Sequence, residues 1–138
     1  MAGSVLLDTC TAIWIMQQMS LSIASRKAIQ KAYRTNAGVY LSPFTAWEVG
    51  MLVSKGRLTL TIPSDVWFDS LIAMPGIRLA PLTPKILLAS TMLPGAPPSD
   101  PADRIIAATA RALGKTLITR NARLLDYSRQ GHIRAIAC

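Results

Sequence analysis

At 138 residues the chain is long enough to bury one real core and too short for two domains. An apolar content of 51% and a mean hydropathy of +0.34 exclude a disordered chain. Fifteen Lys and Arg stand against seven Asp and Glu, a net charge of +8 that suits an anionic partner, nucleic acid first. Eight of the basic residues precede position 100 and seven follow it, so no basic arm or tail is implied. Cys10 and Cys138 are two thiols behind an opening with no positive n-region, and a reduced, cytoplasmic setting is expected. The charge-free stretch from Thr9 to Ser25 carries Gln17, Gln18 and several hydroxyls, which makes it a poor membrane span; no membrane association is expected.

Val5-Leu6-Leu7 is continuously apolar, as in a parallel strand covered on both faces. Helices are predicted from about Thr11 and from Ser22 to Arg34, and Gly38 to Leu41 is a second strand. Ser42-Pro43 opens a helix with a capping hydroxyl and a first-turn proline, and Gly56 closes it. Pro63-Ser64-Asp65 starts another helix that stops before Pro75-Gly76. Ile77 to Ala80 is a third strand, and Thr83-Pro84 begins a helix to Leu93. The loop Pro94-Gly95-Ala96-Pro97-Pro98 leads into a helix capped by Ser99 or Asp100, with Pro101 in its first turn and Gly114 beyond its end. Thr116 to Thr119 is a fourth strand, Ala122 to Tyr127 a short helix, and Ile133 to Ile136 a last strand. Strands alternating with helices define an α/β class with a parallel sheet and crossover helices, whose sites form at the carboxyl ends of strands.

Carboxylates are scarce, so their positions are informative. Asp8 follows the first strand, Asp100 and Asp103 open the helix at Pro101, and Glu48 lies among Phe44, Trp47, Met51 and Leu52. Each has a plain structural explanation: Asp8 and Asp100 as N-caps, Asp103 as a first-turn acid favoured by the helix dipole, Glu48 as a solvated edge. Glu48 fits its explanation least well. By three-four spacing it shares a face with residues 44, 47, 51 and 52 and has no basic residue within one turn, so a cation or polar cleft is expected beside it. Asn121, just past the fourth strand, is either a turn residue or a neighbour of Asp8 at the strand mouths. His132 reads as structural and Cys10 as a small buried residue. Zinc spacing, a phosphate loop and a Ser-His-Asp set are all missing from the sequence.

Leu6-Leu7-Asp8-Thr9, Ser42-Pro43-Phe44-Thr45-Ala46-Trp47-Glu48, Asp100-Pro101-Ala102-Asp103-Arg104-Ile105-Ile106 and Leu117-Ile118-Thr119-Arg120-Asn121 occur in this order over nearly the whole chain. The ordered set resembles the PIN-domain ribonucleases, specifically the VapC toxins of bacterial toxin–antitoxin pairs. The resemblance implies a single PIN-like domain over residues 1–138 with a five-stranded parallel sheet between helices, and Mg²⁺- or Mn²⁺-dependent endonucleolytic cleavage of RNA. It matches Asp8, Glu48 and Asp103 to the family's catalytic, metal-binding acids and Asp100 to an additional metal-site acid. The family's fourth acid falls on Asn121, which keeps an oxygen but removes a charge. Thr9, Arg104 and Arg120 are the expected substrate-binding residues, the arginines, with Arg123, being closest in sequence to the acids.

Mg²⁺ takes oxygen ligands and keeps several waters, and it would orient and acidify a water for attack on a phosphodiester. Carboxylates around an RNA phosphate would repel it without the ion. Two further readings stay open: a PIN-like RNA-binding module impaired at Asn121, and an α/β phosphotransfer domain using Asp8. The expected partners are RNA, a cognate antitoxin and a second copy of the chain. The last two rest partly on the charge-free helical stretches Thr9 to Ser25 and Ile86 to Ser99, which would leave apolar surface to cover. The sequence also predicts that carboxyl oxygens of Asp8, Glu48 and Asp103 converge within a few Å of one another.

Overall fold

The computed structural model describes residues 3–138. Its elements in chain order are β1 (Val5–Leu7), α1 (Thr9–Met16), α2 (Ile23–Arg34), β2 (Val39–Leu41), α3 (Pro43–Ser54), α4 (Ser64–Ile72), β3 (Ile77–Leu79), α5 (Pro84–Ser90), α6 (Pro101–Leu113), β4 (Thr116–Thr119), α7 (Ala122–Arg129) and β5 (Arg134–Ala137). Five parallel strands form one sheet in the order β3-β2-β1-β4-β5. The chain winds from β1 outward to β3 and then crosses to the other side of β1 to lay down β4 and β5. The reversal of strand order therefore falls between β1 and β4, and crevices for ligands open at the carboxyl ends of strands beside such a reversal.

Alternation along β1 divides the core in two. Val5 and Leu7 join Val39, Leu41 and Ile118 under α1 to α4, packed with Ala12, Ile13, Val49, Trp67 and Leu71. Leu6 points to the opposite face and joins Leu117, with Ile106, Ala107 and Ala110 of α6 and Leu124 and Tyr127 of α7. Leu6, Leu7, Leu41, Leu117 and Ile118 are wholly inaccessible, and burying each contributes about 1.5–3 kcal/mol. This double covering explains why β1 and β4 are apolar without alternation.

Element types follow the sequence closely, and the differences are local. Asp8 itself is the N-cap of α1, accepting from the amide of Thr11, so α1 starts at Thr9 rather than Thr11. The α5 helix stops at Ser90, where Ser90 and Thr91 hydroxyls turn back onto the carbonyls of Leu87 and Leu88. The predicted apolar face of α3 is corrected. Thr45 and Val49 are its buried residues and Trp47 is 57% exposed, stacked on Phe44 at 5.1 Å between ring centroids. An α3 that is apolar on almost every side gives periodicity no direction to report. No helix of the described residues is long and apolar enough to cross a membrane.

The hydroxyl of buried Tyr127 donates to the carbonyl of Pro94 at 2.7 Å, tying α7 to the loop that precedes α6. Tyr127→Phe leaves that carbonyl without its donor and is expected to cost about 1–2 kcal/mol in urea unfolding, with the far-UV spectrum unchanged.

Candidate active site

Four helices begin near the carboxyl ends of the central strands, and their first residues carry the site. Asp8 caps α1 directly after β1, Asn121 caps α7 two residues after β4, and Asp100 caps α6, placing Asp103 in its first turn. Glu48 comes from the second turn of α3. Asp8, Thr9, Cys10, Trp14, Glu48, Asp103, Arg120 and Asn121 line one open cleft of about 370 Å³ at the β1–β4 reversal, floored by Ala102, Ile106 and Leu124.

Each acid in the cleft is held by a neutral donor of the chain. Asp8 Oδ1 accepts from the Thr11 amide at 2.8 Å, and Oδ2 from the Thr119 hydroxyl at 2.5 Å. Glu48 Oε1 accepts from Thr9 Oγ1 at 2.6 Å, and Thr9 in turn meets Thr45 Oγ1 at 3.1 Å. Both oxygens of Asp103 lie 3.2 Å from Asn121 Nδ2. Burial raises the pKa of Glu48, and Asp103, Asp8 and Asp100 raise it further, against the lowering effect of Thr9. Burial and then Asp100 raise the pKa of Asp103, while Asn121 and Arg123 pull it down. The site has more negative charge than its surroundings compensate.

The convergence expected from the sequence is therefore corrected in one respect. The three acids face the same cleft, but among the described residues no three His, Cys, Asp or Glu side chains are gathered closely enough to hold a metal ion. The donor chemistry still fits a hard divalent cation: the three side chains offer only oxygen, they are incompletely neutralised, and the space between them leaves room for an ion that keeps its waters. Asn121 is the cap residue the sequence allowed and also a neighbour of Asp8 in the cleft lining. Its Oδ1 accepts from the Arg123 amide at 2.9 Å as the α7 cap, so it turns N–H groups rather than oxygen toward Asp103.

The other expected residues separate. Thr9 sits in the cleft wall as the donor that fixes Glu48. Asp100 is exposed, lies outside the cleft lining and accepts from the Asp103 amide at 3.0 Å. Arg104 also lies outside that lining; Nε and Nη1 donate to the carbonyls of Ser90 and Pro98 at 2.8 and 3.1 Å, pinning the loop before α6. Arg120 is in the cleft, its guanidinium 3.4 Å from the centroid of the Trp14 ring and its Nε 3.3 Å from the carbonyl of Cys138. Sequence reasoning missed Trp14, an aromatic six residues after Asp8 whose spacing resembles ordinary core. Cys10, expected buried, is exposed in the cleft wall, where desolvation and then the field of Asp8, Glu48 and Asp103 raise its pKa and keep the thiol protonated. His132 is structural as expected, its ring 5.2 Å from that of Tyr127.

A parallel α/β sheet with oxygen-donor acids at its strand reversal defines a class, and comparison with known proteins gives it a name. The chain belongs to the PIN-domain family, whose model matches residues 5–130. It is 33% identical over 125 residues to Ribonuclease VapC22 of Mycobacterium tuberculosis, an alignment covering 90% of this chain and 92% of that one. Its fold is shared by the crystal structure of VapBC2 from Rickettsia felis bound to a DNA fragment from their promoter. That match has a TM-score of 0.69 at 16% identity, over 97% of this chain and 98% of the other.

The raised acids carry a stability consequence with a definite sign. A carboxyl whose folded pKa lies above its unfolded value favours the folded state below the unfolded pKa, and that contribution is lost as pH rises through the folded pKa. In chelator, Glu48→Gln, which keeps an acceptor for Thr9, is expected to raise the thermal midpoint at pH 7. The gain should vanish at about pH 3, below the ordinary carboxylate range, where Glu48 is protonated in both states. Paired melts at the two pH values read it directly.

Proposed function

We propose that this chain is a Mg²⁺- or Mn²⁺-dependent endoribonuclease of the VapC type, acting as the toxin of a toxin–antitoxin pair in a reducing, cytoplasmic setting. The single observation that carries the reading is the cleft at the β1–β4 reversal, lined by Asp8, Glu48 and Asp103 in a protein of net charge +8. The family membership and the relative named as a ribonuclease support the same reaction.

Asp8, Glu48 and Asp103 are the residues that would hold the cation, through its retained waters as well as directly. When bound, it supplies a water of lowered pKa and positive charge against the scissile phosphate. The chain does the rest. Thr119 and Thr11 fix both oxygens of Asp8, so that acid keeps one orientation. Thr9 fixes Glu48, whose raised pKa suits it to hold a proton taken from the attacking water. Water adds at phosphorus as the bond to the leaving ribose oxygen breaks; that oxygen takes a proton from solvent, and the proton held by Glu48 returns to solvent. Arg120, braced on Trp14 and the Cys138 carbonyl, offers a positioned cation to a flanking phosphate.

Inhibition by a partner has its own surface. Ile15, Ile29, Tyr33, Val39, Met74 and Ile77 line a second cleft of about 390 Å³ with Arg34 at its edge, suited to an apolar antitoxin segment carrying an acid. Exposed Leu87, Leu88 and Met92 beside α5 suit contact with a second copy of the chain.

The amide that Asn121 turns toward Asp103 favours one other reading, an RNA-binding module with weakened metal chemistry. The two readings separate in one experiment. Asn121→Asp returns a charge beside Asp103 worth about 4 kcal/mol per unit of cation charge at 4 Å and an effective dielectric of 20, before desolvation reduces it. It is expected to tighten Mg²⁺ binding at least about tenfold, about 1.4 kcal/mol, and to lower the melting midpoint in chelator. The parent chain is expected to cleave single-stranded RNA with Mn²⁺ and to lose at least about 10²-fold in rate with Asp103→Ala, a loss of about 2.7 kcal/mol in transition-state stabilisation. RNA binding without cleavage in the parent, together with cleavage by Asn121→Asp, would establish the impaired module instead.

A further inference from the structure

At the opposite end of β4 from the cleft lies a pocket of about 220 Å³ lined by Arg111, Lys115, His132 and Arg134, with Gly114 and Gly131 in its rim. None of the seven acids lines it. The one ion pair among the described residues joins Arg129 to Asp126 on α7, and neither residue belongs to the pocket. The two arginines are built in by backbone carbonyls instead. Arg111 Nη1 donates to His132 O at 2.8 Å, and Arg134 Nη2 donates to Gly114 O at 2.6 Å. Lys115 is 7% exposed, with its ammonium 3.5 Å from the centroid of the Tyr40 ring and 3.3 Å from Ser4 Oγ. Its ammonium is turned toward Tyr40 and Ser4, so the two arginines supply the pocket's charge and its remaining N–H donors.

Complementing the end of α6 does not account for this. A helix C-terminus presents roughly half an elementary negative charge, and two permanent cations meet here. The surplus is about one and a half positive charges at a concave site, with each guanidinium fixed and only partly used. Fixed, forked donors without carboxylate partners are the chemistry of phosphate recognition.

We propose that this pocket is a phosphate-binding exosite that grips the backbone of the RNA substrate away from the scissile bond; the proposal rests on the ribonuclease reading above. The placement gives it a length scale. Asp103 and Arg111 are eight residues apart on α6, about 12 Å of helix rise, and β4 separates Lys115 from Arg120 by a similar distance. Arg123, at the start of α7, lies at the cleft end, within the field of Asp103. An RNA of a few nucleotides fills the cleft alone, and a longer strand reaches the exosite.

The test compares a tetranucleotide with an unstructured 20-nucleotide RNA, using Arg111→Gln with Arg134→Gln; glutamine still offers N–H groups to the two carbonyls. A control, Lys27→Gln with Lys31→Gln on α2, removes the same net charge elsewhere. The expected result is at least a tenfold loss of kcat/KM on the 20-mer, tetranucleotide cleavage unchanged within twofold, and an unaffected control. Binding of the 20-mer in chelator should show a salt slope shallower by about 0.7 for each phosphate no longer gripped. Wild-type protein gives a second reading without substitution: the 20-mer, and not the tetranucleotide, should protect Arg111 and Arg134 from a vicinal dicarbonyl reagent. Equal losses on both RNAs, the same loss in the control, or no protection would overturn the exosite. Loss of poly-glutamate binding with RNA binding intact would also overturn it, in favour of an acidic protein partner. If the wild type cleaves neither RNA but the double variant loses 20-mer binding in chelator, the nuclease reading fails and the exosite stands.

Discussion

The hydrogen bond from Thr119 to Asp8 joins the mouths of the two strands between which the sheet reverses, and the site is built around it. Together with the Thr11 amide it takes both oxygens of Asp8. Thr11 also donates from its hydroxyl to Ile118 O, so α1 is pinned to β4 as well as capped by the end of β1. The same Thr119 hydroxyl accepts from the Asn121 amide and so sets where α7 begins. One buried threonine thus fixes Asp8 and the backbone of Asn121, whose side-chain amide faces Asp103. Neutral donors are the only donors that suit this place. A lysine or arginine there would fill the position that the proposed cation must take, and no donor at all would leave buried carboxylates uncompensated.

The order of elements and the strand-end acids were legible because they depend on local rules: proline at a first turn, a capping side chain before it, unbroken apolar runs for strands covered twice. The orientation of α3 was not legible. Thr45 and Val49 face the core because β2 delivers the helix at that angle, and an apolar residue at nearly every position hides the angle from the sequence. The two duties of Asn121 were hidden for a different reason. Capping by its oxygen follows from the chain alone, but the approach of its nitrogen to Asp103 depends on α6 and α7 meeting across 18 residues of sequence.

Arginine placement shows most clearly what sequence distance conceals. Arg104 is adjacent to Asp103, yet it faces the Ser90 and Pro98 carbonyls, because one residue of helix turns the side chain by about 100°. Arg120 is remote from Trp14 in sequence and rests on its ring. Guanidinium groups bound to carbonyls or aromatic rings keep their full charge, whereas groups bound to carboxylates lose most of their external field. A chain with one ion pair among its described residues therefore carries nearly all of its positive charge as field. That field counts for a protein whose proposed substrate is a polyanion, because association with it is driven by charge before any specific contact forms.

The same scarcity of ion pairs bears on how the fold tolerates its own cleft. Glu48 and Asp103 have raised pKa values, chiefly through burial, with like charges adding to it. Each ionised acid is then a cost to folding that any bound cation offsets, which couples cation binding to stability. Asn121 lowers that cost without a cation, since its amide meets both oxygens of Asp103. A fourth carboxylate at position 121 would do the opposite, making the empty cleft less stable and the filled one tighter. The amide nitrogen at position 121 thus moves the balance toward a cleft whose acids are partly compensated by the chain itself.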